Sequence, residues 1–471
     1  MLTYSFENIG NQSLFTHLYE CIKHDVLTGS LAPGTRLPSK RMFAKNLGIS
    51  TITVENAYAQ LIAEGYLYSI PKKGYYVQDI STSAGGEEQE VATPPAAPPV
   101  PEKPRYFADF VTNQIRPENF PFSTWSHLMR EALVNRREQL LANPPFEGVL
   151  ELRAAIASHL HAFHGISVSP EQVVIGAGTE YLYGLLIQLL GRDHTYAMED
   201  PGYRKIAQVY ESFGVPFAPV SMDQNGIRIG ELQEKGIDIV HITPSHHFPT
   251  GITMPVSRRY ELLDWARQIG DRYLIEDDYD SEFRLRGKPI PTLLSMDRSG
   301  KVIYMNTFTK TLASTIRIAY MVLPVQLLSD FRKRLSFYSC SVSSFEQYTL
   351  AAFLESGGFE RHINRMRSDY RKKRDMLLTG IRESGLGSFA RVSEQDAGLH
   401  FLLQFHTNLS DQELAERAAA RGIRLAPLRN YYFDTSCVPE GLEHTFVINY
   451  TSIDEAAAAK ALPILEEILR G

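Results

Sequence analysis

Apolar residues at Leu14, Leu18, Ile22 and Val26 recur every four positions between Asn11 and Leu27, the spacing of one buried stripe on a helix. Leu37-Pro38-Ser39 opens a second helix over Lys40 to Leu47, with Ser39 as N-cap and Gly48 as its C-terminal stop. Ser50 caps a third helix from Thr51 to Glu64, whose apolar face is assigned Ile52, Val54, Ala57, Tyr58, Leu61 and Ile62, and Gly65 ends it. Tyr66 to Ile70, the turn Pro71-Lys72-Lys73-Gly74, and Tyr75 to Val77 then read as strand, basic turn, strand. Three helices and a two-stranded wing are predicted.

Farther along, helical patterns alternate with short apolar runs: Val173 to Ile175, Thr195 to Met198, Ile237 to Ile242, Tyr273 to Ile275 and Lys301 to Met305. Such alternation predicts an α/β domain with a mostly parallel sheet covered by helices, and ligand chemistry at the strand C-termini. Beyond about residue 330 long helical stretches give way to strands at His400 to Phe405 and Thr445 to Tyr450, a smaller α+β lobe. Between the two patterned regions, residues 81 to 104 carry six prolines among Ala, Gly, Ser and Glu with no apolar period, so this segment is expected to be a linker. Extended at ~3.1 Å per residue it reaches up to ~75 Å, enough for the N-terminal module to serve a neighbouring subunit. The expected organisation is 1–80, linker 81–104, and 105–471.

Composition changes this picture little. Over 471 residues, 44% hydrophobic and 22% charged content are those of a water-soluble globular chain, and no apolar run approaches bilayer length. The first residues lack a basic stretch followed by an apolar core, so a cytoplasmic location is expected. Cys21, Cys340 and Cys437 have no C-x-x-C spacing, which argues against a disulfide framework or structural zinc. The net charge of -6 hides a local excess: Arg36, Lys40, Arg41, Lys45, Lys72 and Lys73 face only Glu55 and Glu64 between positions 36 and 73.

That excess coincides with the helical module. In a helix-turn-helix the third helix enters the major groove by its N-terminal end, while neighbouring basic and hydroxyl groups hold phosphates. Ser50, Thr51, Thr53 and Asn56 stand at that end; Arg36, Ser39, Lys40 and Arg41 are candidate phosphate contacts, and Lys72-Lys73-Gly74 a candidate minor-groove probe. Double-stranded DNA is the expected partner.

In the larger region Lys310 follows an apolar strand in Asn306-Thr307-Phe308-Thr309-Lys310-Thr311 and reads as an imine-forming lysine for pyridoxal phosphate. That coenzyme needs an acid at its ring nitrogen, for which Asp277 at a strand end is the candidate, and a group tuning its phenolic oxygen, for which Tyr279 is. Gly178 and Thr179, at a helix start, offer amides for a phosphate; Thr307, Thr309 and Arg317 complete that set, and Tyr203 is placed against the ring. The adjacent His246 and His247 lie on an extended segment and point to opposite faces, so no metal site is read there.

The segment from Leu14 to Val77 closely resembles the winged helix-turn-helix of the GntR regulators, departing at Thr51 where many relatives carry arginine. From 105 to 471 the chain resembles the fold-type-I aminotransferases, and IGAGTEYL, EDPGYRK, TPSHHFPTG, IEDDYDSEF and NTFTKTLASTIRIAYMVLP look like motifs of the MocR subfamily of GntR regulators. The resemblance implies a homodimer in which each DNA module crosses onto its partner, with pyridoxal phosphate as part of a sensing site. For an effector carboxylate the subfamily offers arginines where this chain has Lys205 and the run Pro427-Leu428-Arg429-Asn430-Tyr431-Tyr432; Arg204, Arg424 and Arg429 are further candidates. The effector is therefore either the coenzyme or a small amine or amino acid. A transcription regulator is the expected function, with a working aminotransferase tethered to DNA as the alternative.

Overall fold

Serine hydroxyls start all three N-terminal helices. In the computed structural model, which describes residues 2–6, 12–80, 104–285, 290–394, 396, 398–435 and 438–470, Ser13, Ser39 and Ser50 each accept a backbone N–H of the first turn, at 3.1, 3.3 and 3.1 Å. Each such cap contributes about 1 kcal/mol. The helices span Leu14–Leu27, Lys40–Leu47 and Thr51–Ala63, and Gly48 ends the second at φ +69°, a left-handed conformation cheap only for glycine. Leu18, Ile22, Phe43, Val54, Ala57, Tyr58 and Leu61 close a core of their own.

Two expectations for this module are corrected. Ile52 is 69% exposed and leaves the apolar face to Val54, Ala57, Tyr58 and Leu61. The wing has three strands, because Arg36–Leu37 pairs antiparallel with Gly74–Val77, which also pairs with Leu67–Ile70. A two-residue strand carries no periodicity to read, and its partner lies beyond both helices.

The chain divides into the compact units Met1–Glu102 and Lys103–Gly471. The proposed linker falls almost wholly outside the described residues.

The second unit is built on an eight-stranded sheet ordered Val173–Gly176, Ala319–Val322, Val302–Thr307, Tyr273–Asp277, Ile239–Ile242, Tyr196–Asp200, Phe217–Asp223 and Gly226–Ile227. The five strands from Val302–Thr307 to Phe217–Asp223 run parallel; Ala319–Val322 is antiparallel to both neighbours, and Gly226–Ile227 closes a hairpin edge. The inner strands are buried throughout except at Tyr273, as strands covered on both faces must be. A smaller antiparallel sheet holds Ala390–Ser393, His400–Phe405, Thr445–Asn449 and Ala426–Pro427, flanked by the helices Gly358–Glu383, Asp411–Ala420 and Glu455–Arg470. Among the described residues no helix is long and apolar enough to cross a membrane.

Candidate functional site

Parallel pairing sets Asp277 opposite Met305, so the chain leaves two adjacent strands at the same sheet edge, one carrying Asp277 and the other leading to Lys310. Thr307 stiffens the second exit: its Oγ1 donates to Thr309 Oγ1 at 2.8 Å and accepts from the Thr309 N–H at 3.1 Å. Lys310 is half-buried, and desolvation pulls its amine below the ordinary lysine range, while the Asp280 and Asp277 carboxylates pull the other way. An amine so placed is neutral, and nucleophilic, over a wider pH range than one in water.

Asp277 is held by Tyr183 and faced by His241, neither named from the sequence: Tyr183 donates its hydroxyl to Oδ2 at 2.8 Å, and His241 Nε2 stands 3.6 Å from the same oxygen without a hydrogen bond. The buried Oδ1 has no hydrogen-bond donor among the described residues. Tyr279 places its hydroxyl 3.3 Å from His246 Nδ1, which is itself 2.9 Å from Asp280 Oδ2. Desolvation of the phenol, with Asp280 and Asp277 nearby, pushes the Tyr279 pKa well up.

A second cluster forms where the helix Thr179–Leu190 begins. Gly178, its N-cap, adopts φ +93° and ψ 165°, and a Cβ there would lie 2.3 Å from Arg317 Nη2. Arg317, itself at φ +54°, donates from Nη2 to Ala177 O at 3.2 Å and to Glu180 Oε2 at 2.7 Å. Lys205 pairs with the other oxygen of Glu180. Burial pushes the Glu180 carboxyl up, but Lys205 and Arg317 outweigh it and hold the pKa at about 2.

The remaining sequence-predicted residues lie around this centre. Tyr203 is exposed and sets its ring edge-on to Phe248 at 6.0 Å, and Phe248 meets Tyr431 at 5.2 Å. Arg429 is engaged elsewhere, 3.8 Å from Asp411, which also pairs with His444. His246 and His247 take separate partners: His247 bonds Thr250 Oγ1 at 2.7 Å and stands 3.4 Å from Glu199. Burial drives His247 down to about 3 and Glu199 up to about 7, so near neutrality the imidazole is uncharged and the carboxyl is in the middle of its titration. Among the described residues no group of three or more His, Cys, Asp or Glu is arranged to hold a metal.

Of the groups missed in the sequence, Tyr183 had a usable signal, since it lies one helical turn beyond Thr179 and so on the same face. Glu180 stood inside the quoted motif IGAGTEYL. Asp280 likewise stood inside IEDDYDSEF, whereas His241 had no signal beyond being polar within the apolar run Ile237 to Ile242.

In the N-terminal module Thr51 and Asn56 are exposed, as are Arg41, Lys72 and Lys73. Ser39 and Ser50 spend their hydroxyls on caps, and Thr53 Oγ1 lies 2.8 Å from Ser50 Oγ. Lys40 pairs with Glu55 at 2.5 Å, and Arg36 lays its guanidinium beside Gly74, where a Cβ would come within 3.3 Å of Nε.

These two units define a class: a winged helix-turn-helix joined to a fold-type-I aminotransferase domain. Residues 14–77 match the bacterial regulatory proteins of the gntR family, and residues 110–457 match aminotransferase class I and II. Solved structures similar to the larger unit include the multiple substrate aminotransferase from Thermococcus profundus, with TM-score 0.67 at 24% identity over 78% of this chain and 92% of that one. An archaeal alanine:glyoxylate aminotransferase has TM-score 0.68 at 23% identity over 77% and 90%. Relatives similar along most of the chain include the HTH-type transcriptional regulator YdeL of Bacillus subtilis, uncharacterized, at 37% identity over 89% of this chain and 90% of the relative. The probable rhizopine catabolism regulatory protein MocR of Rhizobium meliloti is 33% identical over 88% and 86%, and TauR of Rhodobacter capsulatus 31% over 98% and 97%. The chain belongs to the MocR subfamily of GntR-type transcriptional regulators.

The aminotransferase family implies pyridoxal phosphate, and the residues present fit it. Arg317 beside the helix start at Gly178 would suit an anion, and a protonated ring nitrogen would give Asp277 Oδ1 the donor it lacks among the described residues.

Proposed function

We propose that this regulator holds pyridoxal phosphate at Lys310 and that occupancy of that amine, by coenzyme or by exchange with a small primary amine, biases the binding of the N-terminal module to its operator. The observation that carries this reading is that a desolvated lysine, just past one strand, and a buried carboxylate, at the end of the adjacent strand, share one sheet edge, with one carboxylate oxygen lacking a donor among the described residues. Pyridoxal phosphate held there would supply an aldehyde for the lysine amine and an electron-withdrawing ring. Lys310 provides the neutral nucleophile. Asp277, oriented by Tyr183 and His241, keeps a proton on the ring nitrogen, and Tyr279 donates to the phenolic oxygen. Arg317, Thr307, Thr309 and the Gly178–Thr179 amides hold the phosphate, and Tyr203 covers the ring.

The cations put forward for an effector carboxylate are already engaged by the protein itself: Lys205 by Glu180, Arg424 by Asp109 at 3.3 Å, Arg429 by Asp411, and Arg204 by the carbonyl of Phe433 at 3.1 Å. Arg317 is held by the same Glu180, so an entering anion, phosphate or carboxylate, would have to draw a cation away from that carboxylate. Membership of the MocR subfamily supports a homodimer in which each DNA module serves the partner's domain. An effector shifts this balance only through different affinity for the two arrangements.

One sample tests the reading: coenzyme and a panel of amines and amino acids are titrated while visible absorbance and binding of a promoter fragment are recorded together. The expected result is absorbance lost with Lys310→Ala and fragment affinity that follows occupancy. Colourless protein after reconstitution, or sustained turnover of an amino donor with a 2-oxo acid and no change in fragment binding, would overturn it.

A further inference from the structure

The N-terminal end of the third helix holds an apolar side chain that the fold does not use. Ile52, in the first turn of Thr51–Ala63, is 69% exposed, and it belongs neither to the buried core of its module nor to the hydrophobics packed against that core. An exposed β-branched residue in a first helical turn has no value for helix formation, since such side chains lose rotamer freedom there.

Its polar neighbours are largely spoken for. Ser50 caps the helix, the Thr53 hydroxyl bonds Ser50, and Glu55 is neutralised by Lys40 at 2.5 Å. Thr51, Ile52 and Asn56 remain open at the end, and Ile52 and Asn56, four apart, stand one above the other on one helix face. In a regulator of this class that end is the part that reaches base edges.

The major groove offers one apolar feature, the C5-methyl group of thymine, which projects from the base edge. We propose that Ile52 is a specificity-determining residue that packs on a thymine methyl in the operator, next to a base read by Asn56. The contact removes from water a methyl on the DNA and a side chain that the free protein leaves exposed. Cytosine and uracil at the same position carry no such group.

The test uses full-length protein and a duplex selected from a random library. Each thymine of the selected motif is replaced in turn by deoxyuridine, which keeps the base pair and removes only the methyl. Burial of one methyl predicts about fourfold weaker binding at one thymine position of the motif. Ile52→Ser should bind the thymine and uracil duplexes alike, whereas Leu27→Ser, an exposed apolar residue on the first helix, should keep the preference. Circular dichroism on the same preparations shows whether each variant folds. A wild-type chain indifferent to every thymine-to-uracil change overturns the inference while leaving the regulator assignment standing. So does a methyl preference that survives in Ile52→Ser. A chain that selects no duplex overturns DNA reading altogether.

Discussion

Gly178→Ala tests the anion cradle with the smallest possible change. At φ +93° and ψ 165° the backbone lies in a region open essentially to glycine alone, so an alanine there costs about 1–3 kcal/mol before any contact is considered. The added Cβ would meet Arg317 Nη2 at 2.3 Å, and the guanidinium must then leave its bonds to Ala177 O at 3.2 Å and Glu180 Oε2 at 2.7 Å. A charge-assisted hydrogen bond of the kind Arg317 would make to phosphate contributes about 1.5–3 kcal/mol, so coenzyme affinity should fall about ten- to hundredfold. Gly214→Ala is the control, for Gly214 also has positive φ, +67°, but nothing within 4 Å of its Cβ. Both variants should lose thermal stability; only Gly178→Ala should lose coenzyme affinity in an absorbance titration. Equal coenzyme affinity in Gly178→Ala and wild type would refute the placement of the phosphate at Arg317.

Three further outcomes follow from the same geometry. Because the folded pKa of Lys310 is depressed, the unfolded chain binds the proton more readily, and coenzyme-free protein gains stability as pH rises toward the ordinary lysine value of ~10.4. Lys310→Met should accordingly raise the denaturation midpoint of coenzyme-free protein at neutral pH, with the advantage shrinking at higher pH. Glu180 has the same sign of dependence in a lower window: its contribution is complete above ~4.3 and is lost as pH falls toward about 2, so the stability gap between wild type and Glu180→Gln should close over that range in acid unfolding. Replacing Lys73 by alanine should weaken binding of all duplexes by a similar factor and reduce the slope of log affinity against log salt by about 0.9, if it holds one phosphate; an unchanged slope would remove it from the interface.

Much of the fold was legible because its signals are local. Caps at Ser39 and Ser50, the stop at Gly48, and apolar runs bounded by polar residues need only a few neighbours to be understood, and the strands containing Val173, Ile239, Leu274 and Ile303 stand where those runs predicted. Lys310 and Asp277 were nominated by residue type and by their place after apolar runs, and Arg317 as a cation flanking the lysine. Ile52 shows the limit of that method: Val54, Ala57, Tyr58 and Leu61 define one helical face, and Ile52, two residues before Val54, points about half a turn away. Counting it as core followed hydrophobicity and overlooked period.

What tertiary structure alone decided is which partners each polar group keeps. Tyr183 reaches Asp277 across 94 positions of sequence, and Arg317 reaches Glu180 across 137, through a helix start and a strand that only the sheet order makes neighbours. Two modules and their architectures were readable from the chain alone, since helix and strand periods are properties of adjacent residues, and Lys310 was nominated there as a candidate. Whether a charged side chain is free for a ligand or spent on its own protein is a property of distance in space, and for Lys205, Arg424 and Arg429 it was folding that made the choice.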